Sequence, residues 1–382
     1  MSVLFRAVLG FLLVKLTTLA MNLAWFPVLG KGRLTSGQLG SPHGTGSPHG
    51  TVSPHGTVSP HGTVSLLVPM RDEAASLMRF LPALLNQSGV TELIVLDDQS
   101  GDGSAALARS IMAGSAHARL VSGTPPPPGW VGKTWACEQL AAEASGELLV
   151  YCDADVLLAP GAIEAVLRAM AEQRADVFSV FPRQLTGSLG EALLTPLIED
   201  VLLCFLPFRL LSVDVPAAAT ANGALLVFRR PALDQLAGFS SVRSEIVEDV
   251  ALARRARRAG LRLGLALGGD LVQTRMYTSY RQVVAGLGKG LLAVTGGSRL
   301  RLVAAAGWHL AAYTLPLVAA SRRRRWLLPF GLGLAERLLV GLKCHPRAAW
   351  QAGLTPLSPI AFLPVAVQAM RRQQSWKSRS YP

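Results

Sequence analysis

The stretch Glu147-Leu148-Leu149-Val150-Tyr151-Cys152-Asp153-Ala154-Asp155 constrains this chain most. An apolar run ends abruptly in two carboxylates one residue apart. Such a run reads as a strand buried on both faces, as in a parallel sheet. In an open parallel sheet, ligands sit beyond the carboxyl ends of the strands, so Asp153 and Asp155 stand where a ligand would be. Alternate residues of an extended chain point the same way, and both carboxylates can face one cation. A hard divalent ion takes oxygen ligands and often combines one or two carboxylates with substrate phosphates. An isolated D-x-D is a weak signal, and a plainer role is open to these residues: Asp153 starting a turn and Asp155 capping the helix after Ala159-Pro160.

Composition narrows the setting. Of 382 residues, half are hydrophobic, and the mean hydropathy of +0.35 is high for a soluble protein. The formal charge is +13, but the basic residues crowd the apolar segments, which points to a membrane surface and away from nucleic acid. Cys137, Cys152, Cys204 and Cys344 have no C-x-x-C spacing and read as free thiols, without a disulfide frame or zinc site.

Residues 1–30 are mostly apolar, interrupted by Arg6 and Lys15. A span of about 20 residues must carry Lys15 at its middle or tuck it against protein. The segment reads as an uncleaved membrane anchor. Four six-residue units, SPHGTG and then SPHGTV three times, follow between Ser41 and Val64. Pro and Gly in every unit oppose helix and sheet, so 31–63 reads as a flexible linker. His43, His49, His55 and His61 come with no acidic or thiol partners, as expected of a duplicated unit.

The domain proper runs from 64 to 298. Val64–Pro69 is a strand, followed by Met70-Arg71-Asp72-Glu73 and a helix to about Asn86. Glu92–Leu96 is a second strand, ending in Asp97-Asp98-Gln99-Ser100; Ser104 can cap the helix after it. A short strand at Ala118–Val121, a proline run, Gly129-Trp130-Val131-Gly132-Lys133-Thr134 and a helix to about Ser145 precede the strand at 148. This alternation is that of an α/β domain with a parallel sheet. Three strands end in acids. Crowded carboxylates repel unless a cation or donors offset them, which suggests a metal-bound nucleoside diphosphate.

Val68-Pro69-Met70-Arg71-Asp72-Glu73, Leu96-Asp97-Asp98-Gln99-Ser100 and Cys152-Asp153-Ala154-Asp155, in this order, resemble the nucleotide-sugar half of the family 2 glycosyltransferases. The resemblance covers about residues 64–295. It implies the GT-A fold, a Rossmann-like, mostly parallel sheet flanked by helices, with a UDP-sugar donor and Mg²⁺ or Mn²⁺. Pro69, Arg71, Glu73 and Asp98 would line the uridine site, with Asp98 on the base. Asp153 would face the ribose or diphosphate and share the metal with Asp155. The family often has Asn where this chain has Asp72, leaving the backbone role there open. Gly129-Trp130-x-Gly132-Lys133-x-Trp135-Ala136 is similar to a signature of the carotenoid-pathway and hopanoid-associated members, in which Lys133 would approach the diphosphate.

Further on, Asp176–Pro182 is a strand, and 191–211 is a Pro-broken helical pair facing the membrane, the acceptor or the core. Thr220–Phe228 resembles the acceptor-side strand, where Asn222 and Gly223 let backbone approach the sugar. Glu248 and Asp249 open an Arg-rich helix that Gly260 ends. Acids suit a helix N-terminus, but resemblance to the family's Glu-Asp motif makes Asp249 the general base and Glu248 its positioning neighbour. Arg275 would meet the diphosphate or the helix of Asp249, or form a structural salt bridge. The chain has no Gln-x-x-Arg-Trp, the mark of processive members.

Residues 299–372 are again apolar, with candidate spans at 302–320, 326–342 and 353–370, and 373–382 is a basic tail. Basic residues at every break leave the positive-inside rule without a choice. The resulting expectation is a membrane-bound enzyme with its catalytic domain facing the cytoplasm. It would move one sugar from a UDP-sugar to an isoprenoid or other lipid acceptor with inversion. The alternatives are a polyprenyl-phosphate sugar synthase of the same fold and a non-catalytic membrane scaffold.

Overall fold

The computed structural model describes residues 3–30, 62–212, 219–371, 374–376 and 379–381. The His-containing repeat falls outside them. The chain forms two compact units. One comprises 27–182 and 215–274; the other comprises 1–26, 183–214 and 275–382.

In chain order, helix α1 (Val3–Trp25) is followed by β1 (Val64–Met70), α2 (Ala74–Leu85), β2 (Glu92–Asp97), α3 (Ser104–Met112) and β3 (Ala118–Ser122). Then come α4 (Gly132–Glu143), β4 (Leu148–Cys152), β5 (Val156–Leu158), α5 (Ala162–Glu172) and β6 (Val177–Phe181). A two-residue strand β7 (Arg183–Gln184), α6 (Leu189–Leu194) and α7 (Leu197–Phe205) precede β8 (Leu225–Arg229) and α8 (Arg230–Gln235). The first unit closes with α9 (Glu248–Arg258), β9 (Leu263–Leu267) and β10 (Val272–Thr274). Beyond it lie α10 (Tyr280–Val294), α11 (Arg299–His309), α12 (Leu315–Ala320), α13 (Leu327–Cys344), α14 (Ser358–Ala369) and a short hairpin of β11 (Gln374–Trp376) and β12 (Arg379–Tyr381).

The catalytic-type unit is built on a seven-stranded sheet of order β3-β2-β1-β4-β8-β6-β9. Strand β8 runs antiparallel to β4 and β6; the other pairings are parallel. Strands β4 and β6 are buried along their whole length, and β1 nearly so. That is why they read as continuous apolar runs, since helices cover both faces. One face packs on α2, α3 and α5 through Leu77, Phe80, Ile163 and Val166; the other on α4, α8 and α9 through Cys137, Leu140, Leu233 and Leu252.

The direction of β8 positions the site. Because β8 is antiparallel, its start lies at the edge where β2, β1 and β4 end: Cys152 pairs with Leu225, and Met70 with Asp97. Adjacent strands are ~4.8 Å apart. Asp98, Arg71, Asp153 and Gly223 therefore follow one another along a single edge.

The other unit is largely helical. Helix α1 and residues 299–320 are long and apolar enough to cross a membrane, and 346–354 with 358–369 form a pair bent by 85°. Residues 310–314 form a π-helical turn within the second of these. The apolar run expected at 353–370 is thus a short 3₁₀ segment, a sharp break and α14. Lys15 is tucked against protein. It is 1 % exposed, and its ammonium contacts Asp200, Glu336 and Tyr313 at 2.8, 2.7 and 2.6 Å.

Candidate active site

The loops after β1 and β2 interlock. Asp72 and Gln99 both take left-handed backbone conformations, with φ of 49° and 60°. Among non-glycine residues Asp and Asn tolerate this best, which explains an Asp at a position where Asn also serves. The Asp72 N–H donates to Ser100 Oγ, and Gly101 N–H donates to Asp72 Oδ1. Asp98 is buried; its N–H donates to Met70 O, and Arg71 donates to its carbonyl while standing 3.9 Å from its carboxylate. Glu73 accepts from Ser76 Oγ. Ser104, expected to cap its own helix, instead accepts the Glu73 N–H, and Asp102 accepts the Ser104 N–H. Arg71, Glu73 and Asp98 are thereby fixed at neighbouring strand ends, with Pro69 inside β1 opposite Leu96.

The second cluster lies beyond β4 and β8. Lys133, in the first turn of α4, places its ammonium 2.8 Å from both oxygens of Asp153 and 3.2 Å from Glu248. Asp249 Oδ2 accepts the Gly223 N–H, and Oδ1 accepts the Val250 N–H. Glu248 and Asp249 begin α9, so the helix dipole favours them as well. Gly223 is required here: a Cβ at this position would sit 3.3 Å from Asp249 Oδ2, Glu248 Oε1 and Lys133 Nζ alike. Lys133, Glu248 and Asp249, from two separate stretches of sequence, thus meet at Gly223, and Lys133 joins Asp153 to them. Asp155 is half-buried in the turn after β4, and its carbonyl accepts from Thr274 Oγ1.

Sequence reasoning missed what holds Gly223 in place. Ser179, in the middle of apolar β6, accepts the Asn222 N–H and donates to the Asn222 carbonyl. A lone polar residue inside the run Val177-Phe178-Ser179-Val180-Phe181 was the signal available. Thr134 plays the same part for Lys133, donating to Val131 O and Arg243 O. Arg275 belongs to the other unit, where its guanidinium forms a salt bridge with buried Glu191 at 3.1 Å.

Electrostatics separate the roles of these groups. Burial, and then repulsion from Glu248, push the Asp249 carboxyl up to about 7 despite Lys133 and two N–H donors. Burial works against the charge on Lys133, but Asp153 and Glu248 outweigh it and hold the ammonium well above its ordinary range. A carboxyl poised near neutrality is suited to accept a proton. Replacing Lys133 by Met removes the cation that opposes the rise at Asp249. The expected result is a kcat/KM profile whose acid limb moves to higher pH, together with weaker nucleotide binding by calorimetry.

Asp153, Asp155, Glu248 and Asp249 all offer the hard oxygen that a divalent cation takes, with the Lys133 ammonium lying against Asp153 and Glu248. A different group, Asp200, Cys204 and Glu336, also has its ligand atoms within 4.8 Å of one another. There the Lys15 ammonium already stands between the carboxylates, which makes that group an ion-pair core.

Comparison with known proteins agrees with this architecture. Residues 65–235 match the model of Glycosyl transferase family 2, and on that match this region of the chain is classified with the family 2 glycosyltransferases. The chain is also similar to 4,4'-diaponeurosporenoate glycosyltransferases. It is 28% identical to that of Staphylococcus haemolyticus (strain JCSC1435) over 59% of this chain and 60% of the relative. To that of Staphylococcus aureus (strain MRSA252) it is 25% identical over 63% and 64%. The chain thus spans less than two thirds of the length of these relatives. Among solved structures, the mannosyltransferase PcManGT from Pyrobaculum calidifontis, in complex with GDP-Man and Mn2+, has the same fold. Its TM-score is 0.53 at 17% identity, covering 96% of both chains.

Proposed function

We propose that this protein is a membrane-bound glycosyltransferase that moves a single sugar from a UDP-sugar to a hydroxyl or carboxyl of an isoprenoid, carotenoid-like acceptor, with inversion. The observation that carries this reading is the meeting of Lys133, Glu248 and Asp249 at Gly223, with Asp153 held on Lys133, on the sheet edge that also bears Arg71 and Asp98. Kinship with enzymes named for 4,4'-diaponeurosporenoate supports the acceptor class. The lack of Gln-x-x-Arg-Trp supports transfer of one sugar.

In this reading Arg71, Glu73 and Asp98 bind the uridine. Asp153 and Asp155 would hold Mg²⁺ or Mn²⁺, which when bound offsets charge on the diphosphate leaving group. Lys133 exchanges part of its contact with Asp153 and Glu248 for the diphosphate. Asp249, held in position by the Gly223 and Val250 N–H groups, takes the proton of a hydroxyl acceptor; a carboxylate acceptor arrives already ionised. Residues 1–30 anchor the chain, and the catalytic unit faces the cytoplasm. Apolar helices of the second unit bring the enzyme to the bilayer where such an acceptor resides.

The test is full-length protein in vesicles containing isoprenoid alcohols and acids, supplied with UDP-sugars and Mn²⁺. Mass spectrometry should show acceptor plus one sugar, and EDTA should abolish it. No transfer, combined with no binding of UDP by calorimetry, overturns the proposal.

A further inference from the structure

Residues 183–214 belong to the helical unit, yet the residues flanking them on both sides belong to the catalytic unit. The segment therefore leaves that unit and returns to it. Neither of its helices is long enough to cross a bilayer: α6 has 6 residues and α7 has 9, the latter about 14 Å at 1.5 Å per residue.

Its contacts with α1 fix how far it reaches. Trp25 lies beneath the Arg209 guanidinium, 4.9 Å from ring to charge, and Phe26 packs on Phe208. One turn earlier, the Asn22 amide donates to the carbonyls of Leu203 and Leu206 and accepts the Phe208 N–H. Two turns earlier again, Lys15 meets Asp200 at 2.8 Å. Segment α7 thus runs beside the second half of α1, starting near its middle. From Phe26 to Lys15 is about 16 Å along the helix, and a bilayer core is ~30 Å thick, with a span needing about 20 residues. Asp200 sits at mid-depth of α1.

The outer side of this segment is apolar and open. Val201 is 55% exposed, Phe205 46% and Leu210 41%. On α1, near Lys15, Leu13 and Val14 are also exposed. The two deep acids of α7 are turned inward, Asp200 onto Lys15 and Glu199 onto His345, as required of ionisable groups at bilayer depth. An irregular segment is tolerated there because Asn22 satisfies its freed carbonyls.

We propose that residues 183–212 form a re-entrant hairpin, dipping into the membrane beside α1 and presenting Val201, Phe205 and Leu210 to lipid acyl chains. The catalytic fold would then be attached to the bilayer by an insertion within its own sequence as well as by terminal helices. This stands independently of the donor and acceptor chemistry.

The test uses full-length protein in phosphatidylcholine vesicles with a nitroxide on Val201→Cys, Leu210→Cys or, as a control on exposed α9, Arg258→Cys. The four native cysteines are buried. The expected ratio of oxygen to nickel-chelate collisions is several-fold higher at 201 than at 258, with 210 between them. Protection of the unlabelled cysteines from a water-soluble maleimide should follow the same order. If 201 is as open to the aqueous reagents as 258, the hairpin does not enter the membrane. Equal values at 201 and 210 replace re-entry with a segment lying flat on the surface.

Discussion

Replacing Asp249 by Asn is expected to lower kcat/KM by about 10²–10⁴-fold, the usual worth of a positioned general base, while UDP-sugar binding persists. The amide keeps an oxygen for the Gly223 N–H, so the local structure is retained. The pH profile supplies a second readout. A base must be ionised, and the Asp249 carboxyl is raised to about 7. The wild-type kcat/KM, which reports the free enzyme, should therefore climb as pH rises through about 7 and level off above it. In Asp249→Asn this limb should vanish. An unchanged rate would remove Asp249 from the chemistry and favour an acceptor that is already ionised, either a carboxylate or a polyprenyl phosphate.

What could be read in the sequence was whatever is encoded locally. Leu148–Cys152 announced a strand buried on both faces, and the acids at the ends of β1, β2 and β4 do lie along one sheet edge. The mostly parallel sheet followed from the alternation of helix and strand. The reversed direction of β8 did not, because Leu225-Leu226-Val227-Phe228 is apolar whichever way it runs; only its neighbours Tyr151 and Ser179 fix it. Asp249 was legible through its resemblance to a motif, but not its contact with Gly223. Lys15 could be seen to need a partner. Which one could not be seen, since Asp200 and Glu336 lie 185 and 321 residues away. Contacts between distant helices leave no periodic mark.

That pairing leads to the largest expected effect on stability. Lys15 contacts two carboxylates and a phenol, all buried: Asp200, Glu336 and Tyr313. Lys15→Met fills the space with apolar atoms but leaves two acids facing each other without their cation. Breaking a buried ion pair by removing one member costs about 3–5 kcal/mol, a large share of the ~5–15 kcal/mol that holds a typical domain. The expected outcome is a sharply lowered melting temperature in detergent, or loss of folded protein on expression. The triple variant Lys15→Met/Asp200→Asn/Glu336→Gln discriminates between lost charge balance and lost packing. With Asp200 and Glu336 neutral, no buried carboxylate lacks its cation and Arg337 keeps Glu199 nearby, so most of the stability should return. Tyr313→Phe removes one donor to Glu336 and should cost less, about 1.5–3 kcal/mol. If the triple variant is no more stable than Lys15→Met, packing of the lysine stem, rather than the balance of charge, joins α1 to α7 and α13.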